Sequence, residues 1–180
     1  STSSCYGLKN VPPLVETMPL DNLNPYSVSK LAAEDLCVMY NSLFNVPTVC
    51  LRYFNVFGER MPDRGQYAPV IAIFIKQIKN GDKLTIVGDG LQCRDFVYVQ
   101  DIVTANLMAA MSERDCSGEI FNVGFGTNVS ILEIAELFEA EYEHLPPRDG
   151  EARTTLANIT KIRRMLGWEP TTSVEEWVKS

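Results

Sequence analysis

The chain has little from which a metal site or a histidine-based triad could be built. Its single histidine, His144, lies in a stretch that we interpret as a proline-rich loop, and its five cysteines are odd in number and widely spaced. Zinc sites need clustered histidine or cysteine ligands, and a serine triad needs a histidine base. The cysteines are typical of reduced packing residues. We therefore expect no metal, and acid–base chemistry from other groups.

The chain also lacks basic runs and long apolar runs. Its net charge of −7 and pI of about 4.8 argue against nucleic acid or an anionic membrane surface as a partner. No apolar run approaches the ~20 residues of a membrane-spanning helix, and the N-terminus has no basic-then-apolar signal peptide. With 180 residues, 46% of them hydrophobic, the chain can bury a core. The composition favours a cytoplasmic globular protein.

A tyrosine and a lysine spaced by one helical turn are the most informative local pattern. Asn24 suits a helix N-cap and Pro25 the first helical position, so a helix is predicted from there to about Phe44. Tyr26 and Lys30 then share one face. A nearby ammonium and the positive end of the helix dipole favour the phenolate, which makes Tyr26 a candidate general acid or base. The spacing alone is weak evidence because such pairs arise by chance.

The predicted helix over 25–44 is apolar on more than one side, which suggests that both a sheet and a partner subunit cover it. A buried strand is predicted over 48–54 from its β-branched and aromatic residues, giving one helix-to-strand step of a parallel sheet. Asn55 follows directly, at the strand end where open α/β sheets bind ligands. A turn-forming role before Gly58 is an equally good interpretation.

The remainder of the chain alternates between short strand and helix patterns. Asp101 and Ser130 are predicted helix caps, and Ser130 is followed by the glutamate of a capping box. The predicted strands are 84–87, 95–99 and 120–123, and the predicted helices are 68–78, 101–111, 131–141, 158–166 and 174–178. This alternation predicts an α/β fold.

Four sequence blocks, taken together and in order, resemble a known family. They are the hydroxyl-rich run ending in Tyr6-Gly7, the helix start Asn24-Pro25-Tyr26 with Lys30, residues 51–58, and Gly88-Asp89-Gly90 followed by Arg94-Asp95-Phe96. Their order and spacing are similar to those of the extended short-chain dehydrogenase/reductases, and within them the NAD-dependent epimerases and dehydratases of nucleotide sugars. The resemblance extends over nearly the whole chain.

The resemblance implies the C-terminal part of a Rossmann-type doubly wound sheet plus a small α/β substrate-binding lobe. Residues 1–60 would belong to the NAD-binding domain and residues 61–180 mainly to the substrate lobe, with about 88–125 returning to the Rossmann sheet. No glycine-rich dinucleotide turn follows a strand here. The N-terminal dinucleotide-binding half is therefore expected to be missing, and the fragment alone to be inactive.

The resemblance also assigns the site residues. Tyr26 would take the proton from a sugar hydroxyl as hydride moves to NAD, Lys30 would hold the cofactor ribose, and Thr2 would bind the same sugar oxygen, assisted by Ser3 and Ser4. The further positions implied are Tyr53 and Val56 for the cofactor, and Asn55, Thr85, Ile86, Val87, Arg94, Arg148 and Thr155 for the substrate. Residues 85–87 are equally expected as core strand residues, and Arg148 has the alternative of a solvated loop charge.

The reaction implied is epimerisation at C4 of a UDP-hexose or UDP-N-acetylhexosamine through a 4-keto intermediate. Ser3 and Ser4 stand where similar dehydratases and decarboxylases carry acidic residues, and Thr155 is small where a bulky residue would exclude an N-acetyl group. A homodimer through the 25–44 helix is expected. The alternatives are a uronate epimerase, a dehydratase, a decarboxylase or a non-catalytic nucleotide-sugar-binding homologue.

Overall fold

The computed structural model describes residues 1–65, 68–112, 116–147 and 152–180. The chain is an α/β fold, as predicted. After a 3-10 turn at Ser3–Tyr6, its helices are α1 (Pro25–Phe44), α2 (Val70–Asn80), α3 (Val99–Met111), α4 (Ile131–Leu137), α5 (Thr160–Leu166) and α6 (Val174–Val178). Its strands are β1 (Cys50–Tyr53), β2 (Asn55–Phe57), β3 (Leu84–Val87), β4 (Cys93–Arg94), β5 (Phe96–Tyr98), β6 (Ile120–Val123), β7 (Val129–Ser130) and β8 (Tyr142–Leu145).

The strands pair mostly in parallel. β1 pairs with β6, β2 with β5 and β3 with β8, whereas β4 and β7 are antiparallel. The chain changes partner between β1 and β2, because the Phe54 amide bonds to Val123 and the Asn55 amide to Asp95. The strand predicted over 48–54 is therefore shorter, and Asn55 opens a second strand. A parallel bridge between Thr2 and Tyr53 places the N-terminal run beside β1.

Helix α1 begins and ends where the sequence predicts. The Asn24 side chain accepts a hydrogen bond of 2.9 Å from the Ser27 amide, and Pro25 occupies the first helical position. Only Ser27 and Glu34 of this helix are buried. Its large exposed apolar residues are Val28, Leu36, Met39, Tyr40, Leu43 and Phe44. The predicted apolar surface on more than one side is therefore present, and in this chain it faces outward.

Two hydrophobic clusters form the core. The first gathers β1, β6, α3 and α5 around Phe121 and Trp168, and the second gathers α2, β3, α4 and α6 around Phe74 and Ile134. The division into lobes at residue 60 stays a prediction. Within the described residues, no helix is long and apolar enough to cross a bilayer.

Three local predictions are corrected by the structure. Asp101 lies inside α3 and not at its N-cap, because its buried carboxylate turns inward and accepts bonds of 2.9 and 2.7 Å from Thr171. His144 lies in β8, not in a loop, because this polar segment pairs along β3. Helix α4 stops at Leu137, short of residue 141.

Candidate active site

One cleft of about 480 Å³ brings together most of the predicted site residues. They come from the N-terminal run, the first turn of α1, and strands β2, β3 and β4. The predicted residues that line the cleft are Thr2, Ser3, Ser4, Tyr26, Asn55, Val56, Thr85, Val87 and Arg94. An apolar wall that sequence reasoning did not anticipate includes Phe54, Phe96, Ile131 and Leu145. Polar groups therefore converge on a cleft that also has an apolar wall, and this combination is the usual character of a small-molecule site.

The N-terminal hydroxyl groups are held in a defined turn. Thr2 is buried and caps the 3-10 turn, since its Oγ1 accepts from the Ser4 amide at 3.2 Å and donates to Ser4 Oγ at 3.2 Å. Gly7 closes the turn with a φ of +59°, and a Cβ there would lie 2.1 Å from the Asp21 carbonyl oxygen. Only glycine fits that position, so the turn holds Thr2 and Ser4 at the cleft.

The tyrosine and lysine of α1 occupy one face, as their spacing predicts. Tyr26 is half-buried and Lys30 exposed, and the Lys30 Nζ lies 5.6 Å from the centre of the Tyr26 ring. Lys30 lines a second, larger cleft of about 800 Å³ together with Tyr53. The Tyr53 hydroxyl donates to Asn106 at 2.9 Å. The pair therefore spans two neighbouring clefts, with the phenol in one and the ammonium in the other.

Strand β3 divides its residues between the cleft and the core. Thr85 and Val87 line the cleft, whereas Ile86 is fully buried. This alternation follows from the two-residue period of a strand. The Ile86 side chain packs in the second hydrophobic cluster, which is the core strand role given as the alternative for residues 85–87. A substrate contact along this strand stays a prediction. The Thr85 Oγ1 accepts from Gln77 at 2.8 Å, which ties this part of the wall to α2.

The remaining predicted positions lie beside the cleft or outside the described residues. Thr155 lines an adjoining cavity of about 210 Å³ together with Asn55 and Arg94. Its Oγ1 accepts from the Asp95 amide at 3.4 Å. Arg148 lies outside the described residues. In the part of the chain that the structure describes, no group of three or more potential metal ligands occurs.

A buried carboxylate that sequence reasoning did not assign underlies this site. Asp95 is fully buried, and its carboxylate accepts from the amides of Phe125 (2.6 Å), Gly126 (3.1 Å) and Ala157 (2.9 Å). Its carbonyl accepts from the Asn55 amide at 3.0 Å. Burial raises the pKa of Asp95 to about 6, against the three amides, which lower it. An acidic residue within a short apolar strand pattern is the signal that could have revealed it.

Parallel strands whose ends meet a tyrosine–lysine helix and a hydroxyl-bearing turn are the elements of a Rossmann-type chain. Residues 1–124 match the family model described as the NAD dependent epimerase/dehydratase family, and the chain belongs to this family. The predicted family is thereby confirmed.

Relatives and solved structures agree with this assignment. A putative UDP-glucose 4-epimerase of Methanocaldococcus jannaschii is 37% identical and is matched over 99% of this chain and 59% of its own length. A UDP-N-acetylglucosamine 4-epimerase structure from Methanobrevibacter ruminantium, in complex with UDP-N-acetylmuramic acid, gives a TM-score of 0.91 at 32% identity, covering 99% of this chain and 60% of that one. A UDP-glucuronic acid 4-epimerase from Bacillus cereus, in complex with UDP-glucuronic acid and NAD, gives 0.88 at 34%, covering 99% and 57%.

These matches confirm the predicted fold class, because the chain superimposes on part of each Rossmann-type epimerase. The chain spans about three fifths of the length of these proteins. NAD is the cofactor of the family, as predicted, and the Bacillus cereus structure contains it.

Proposed function

We propose that this chain carries the substrate-side part of an NAD-dependent epimerase, which inverts C4 of a UDP-hexose or UDP-N-acetylhexosamine through a 4-keto intermediate. One observation carries the proposal: a single cleft holds the Tyr26 phenol, the Thr2 hydroxyl turn and the Arg94 guanidinium. A proton acceptor, an orienting hydroxyl and a phosphate-binding cation are the groups that this reaction asks of its protein.

The residues present fit one end of NAD. The exposed Lys30 ammonium and Tyr53 line the larger cleft next to Tyr26, where an ammonium can bind ribose hydroxyls. Val56 lies in β2 and lines the same cleft as Tyr26. When bound, NAD supplies a hydride acceptor that returns the hydride to the sugar. A fold of this kind holds the pyrophosphate on a glycine-rich turn, and this sequence has no such turn after a strand.

The chain's own residues handle the proton and the substrate. Tyr26 takes the proton of the C4 hydroxyl and gives it back, and Thr2 hydrogen-bonds the same oxygen and orients it. Arg94 anchors the diphosphate, for which a guanidinium fork is well suited. Asn55 adds an amide on the same side. None of these steps requires a histidine.

The polarity of the cleft favours epimerisation over elimination or decarboxylation. No aspartate or glutamate is among its described lining residues, and Ser3 and Ser4 fill the places next to Thr2. Loss of water or CO₂ involves an additional acid or base. A uronate epimerase is the second candidate, because the Bacillus cereus relative takes UDP-glucuronic acid and Arg94 offers a cation.

Product analysis of the full-length protein tests the proposal. NMR spectra of a reaction with UDP-glucose should show UDP-galactose at equilibrium, and UDP-N-acetylglucosamine should be converted likewise. Tyr26→Phe should lower kcat by about 10²–10⁴-fold, the usual contribution of general acid–base catalysis, and should still bind UDP. A 4-keto-6-deoxy product, a pentose, or conversion of UDP-glucuronic acid alone would replace this proposal with one of the alternatives.

Two further properties belong to the proposal. Thr155 leaves room for an N-acetyl group beside the sugar, which extends the substrate range to UDP-N-acetylhexosamines. The exposed apolar residues of α1 serve as a homodimer interface. A cytoplasmic location stays a prediction.

A further inference from the structure

A buried ion pair joins α1 to β1. The side chains of Glu34 and Arg52 are each only 2% exposed. Arg52 Nε donates to Glu34 Oε2 at 3.1 Å, and Nη2 donates to Oε1, so the contact is bidentate. Burial works against both charges. The hydrogen bonds between Glu34 and Arg52, added to the contacts that Glu34 makes with Ser1 and Arg52 makes with Tyr6, together outweigh it. The pKa of Glu34 therefore lies below its ordinary value and that of Arg52 above.

The guanidinium extends this contact to three further segments. Arg52 Nη1 donates to the Tyr6 hydroxyl at 2.9 Å and to the Glu16 carbonyl at 3.1 Å. The Tyr6 hydroxyl donates in turn to Asn122 Oδ1 at 2.7 Å, in β6. Burial raises the pKa of Tyr6 to about 12, so its phenol stays protonated and donates. One network thus ties together the 3-10 turn, the following loop, α1, β1 and β6.

Stability alone does not account for this network. The free-energy cost of removing two charges from water cancels much of the gain from their attraction. Proteins with apolar pairs of similar volume in their place are often equally or more stable. A bidentate guanidinium–carboxylate contact does have something that apolar packing lacks, namely a fixed mutual orientation. The network is therefore better suited to setting the geometry of the elements that it joins.

Three of the elements that it joins, namely the 3-10 turn, α1 and β1, carry part of the candidate site. Glu34 stands one turn beyond Lys30 and two turns beyond Tyr26, on the same face of α1. Tyr6 ends the turn that Thr2 caps. Arg52 directly precedes Tyr53, the bridge partner of Thr2. Neither charged residue of the pair lines the substrate cleft. Glu34 borders the larger cleft next to Lys30, with its side chain only 2% exposed.

We propose that the Glu34–Arg52 pair, with Tyr6, is a positioning device that holds α1 and the hydroxyl turn so that Tyr26 and Thr2 reach the same sugar oxygen. This inference rests on the proposed function. The members of the pair are positioning residues because they act through Tyr26 and Thr2 and do not touch substrate. A displacement of about 1 Å between such groups can cost about a hundredfold in rate.

An apolar replacement of the whole pair separates positioning from stability. In the full-length protein, Glu34→Leu/Arg52→Met should keep the melting temperature within a few degrees of wild type, as isosteric apolar pairs do. We expect kcat to fall by at least about thirtyfold and KM to change by less than about threefold. Lys83→Gln/Glu141→Gln removes an exposed ion pair and is the control, with kcat unchanged. An apolar variant that keeps both the melting temperature and the kcat of wild type would overturn the proposal.

Two additional measurements keep the test decisive. If the apolar variant does not fold, Arg52→Lys keeps the charge but loses the fork and should give the same split between kcat and KM; unchanged kcat would count against the device. If wild type does not interconvert C4 epimers, the proposed function fails. Amide hydrogen exchange then tests the pair by itself: faster exchange over 3–6 and 25–30 in the apolar variant supports it, and unchanged exchange overturns it.

Discussion

At the scale of single residues, Asp95 is a buried carboxylate that hydrogen-bonds several of the segments around the cleft. Its two carboxylate oxygens accept amides from residues 125–126 and from Ala157, and its own peptide groups bond to Asn55 and Thr155. Arg94 precedes it in the chain. The Asp95 carboxylate accepts three backbone N–H groups. An asparagine in its place would set its own side-chain N–H donor against a backbone N–H donor. Asp95 therefore fixes the positions of Asn55, Arg94 and Thr155, the residues predicted to bind substrate.

The pKa of Asp95 predicts a pH-dependent contribution to stability. Burial raises this pKa from 3.8 to about 6, so between these values the folded protein holds a proton that the unfolded chain releases. The contribution is fully present below about pH 4 and is lost as pH rises through 6. In urea unfolding, the stability advantage of wild type over Asp95→Asn should shrink by about 2–3 kcal/mol from pH 4 to pH 7. An advantage that stays constant across this range would contradict the assignment.

The size of residue 155 predicts the substrate range. Thr155→Tyr should lower kcat/KM for UDP-N-acetylglucosamine by about 10–200-fold, the range for steric discrimination in a pocket, with little effect on UDP-glucose. Thr155→Ser keeps the hydroxyl that bonds to the Asp95 amide and is the matched control. Steady-state kinetics with both sugars provide the measurement. The idea fails if wild type rejects the N-acetylated substrate and the tyrosine variant behaves identically.

At the scale of elements, the sequence predicts the helices and strands that are determined by hydrogen bonds between neighbouring residues. Helix α1 could be located because its N-terminal cap is formed by residues close together in sequence, namely Asn24, Pro25 and Ser27. Strand β8 could not, because its residues are exposed and polar and become a strand only by pairing with β3. The same distinction applies to the site. Tyr26 and Lys30 follow from helix periodicity, whereas the role of Asp95 depends on amides 30 and 62 residues away.

The start of α1 predicts a measurable cap. Asn24→Ala removes the acceptor of the Ser27 amide and should lower the free energy of unfolding by about 1 kcal/mol. Asn24→Asp retains an acceptor and should cost only a few tenths. Because Tyr26 stands in this first turn, kcat should fall more in the alanine variant than in the aspartate variant. Equal stability of the two variants by urea denaturation would show that the cap contributes nothing.

At the scale of the whole molecule, several polar side chains are buried whereas a broad apolar surface on α1 is exposed. Leu36, Met39, Tyr40 and Leu43 follow the spacing of one helical stripe, and all are exposed. Exposed apolar patches of this kind mark association surfaces. The stripe shares its helix with Tyr26 and Glu34, whose side chains reach the cleft and the core respectively. Association through the stripe would therefore stabilise the helix that presents the Tyr26 phenol to the cleft.

A charge placed in that stripe tests whether it joins two copies of the protein. The full-length protein should be a dimer by size-exclusion chromatography with light scattering. Leu36→Arg should raise the dimer dissociation constant by about 10²-fold, since a buried unpaired charge costs several kcal/mol. Leu91→Arg is the matched control, because Leu91 is 53% exposed against 52% for Leu36 and lies outside α1. A wild type that stays monomeric at every concentration, or a Leu36→Arg protein as dimeric as wild type, would remove α1 as the interface.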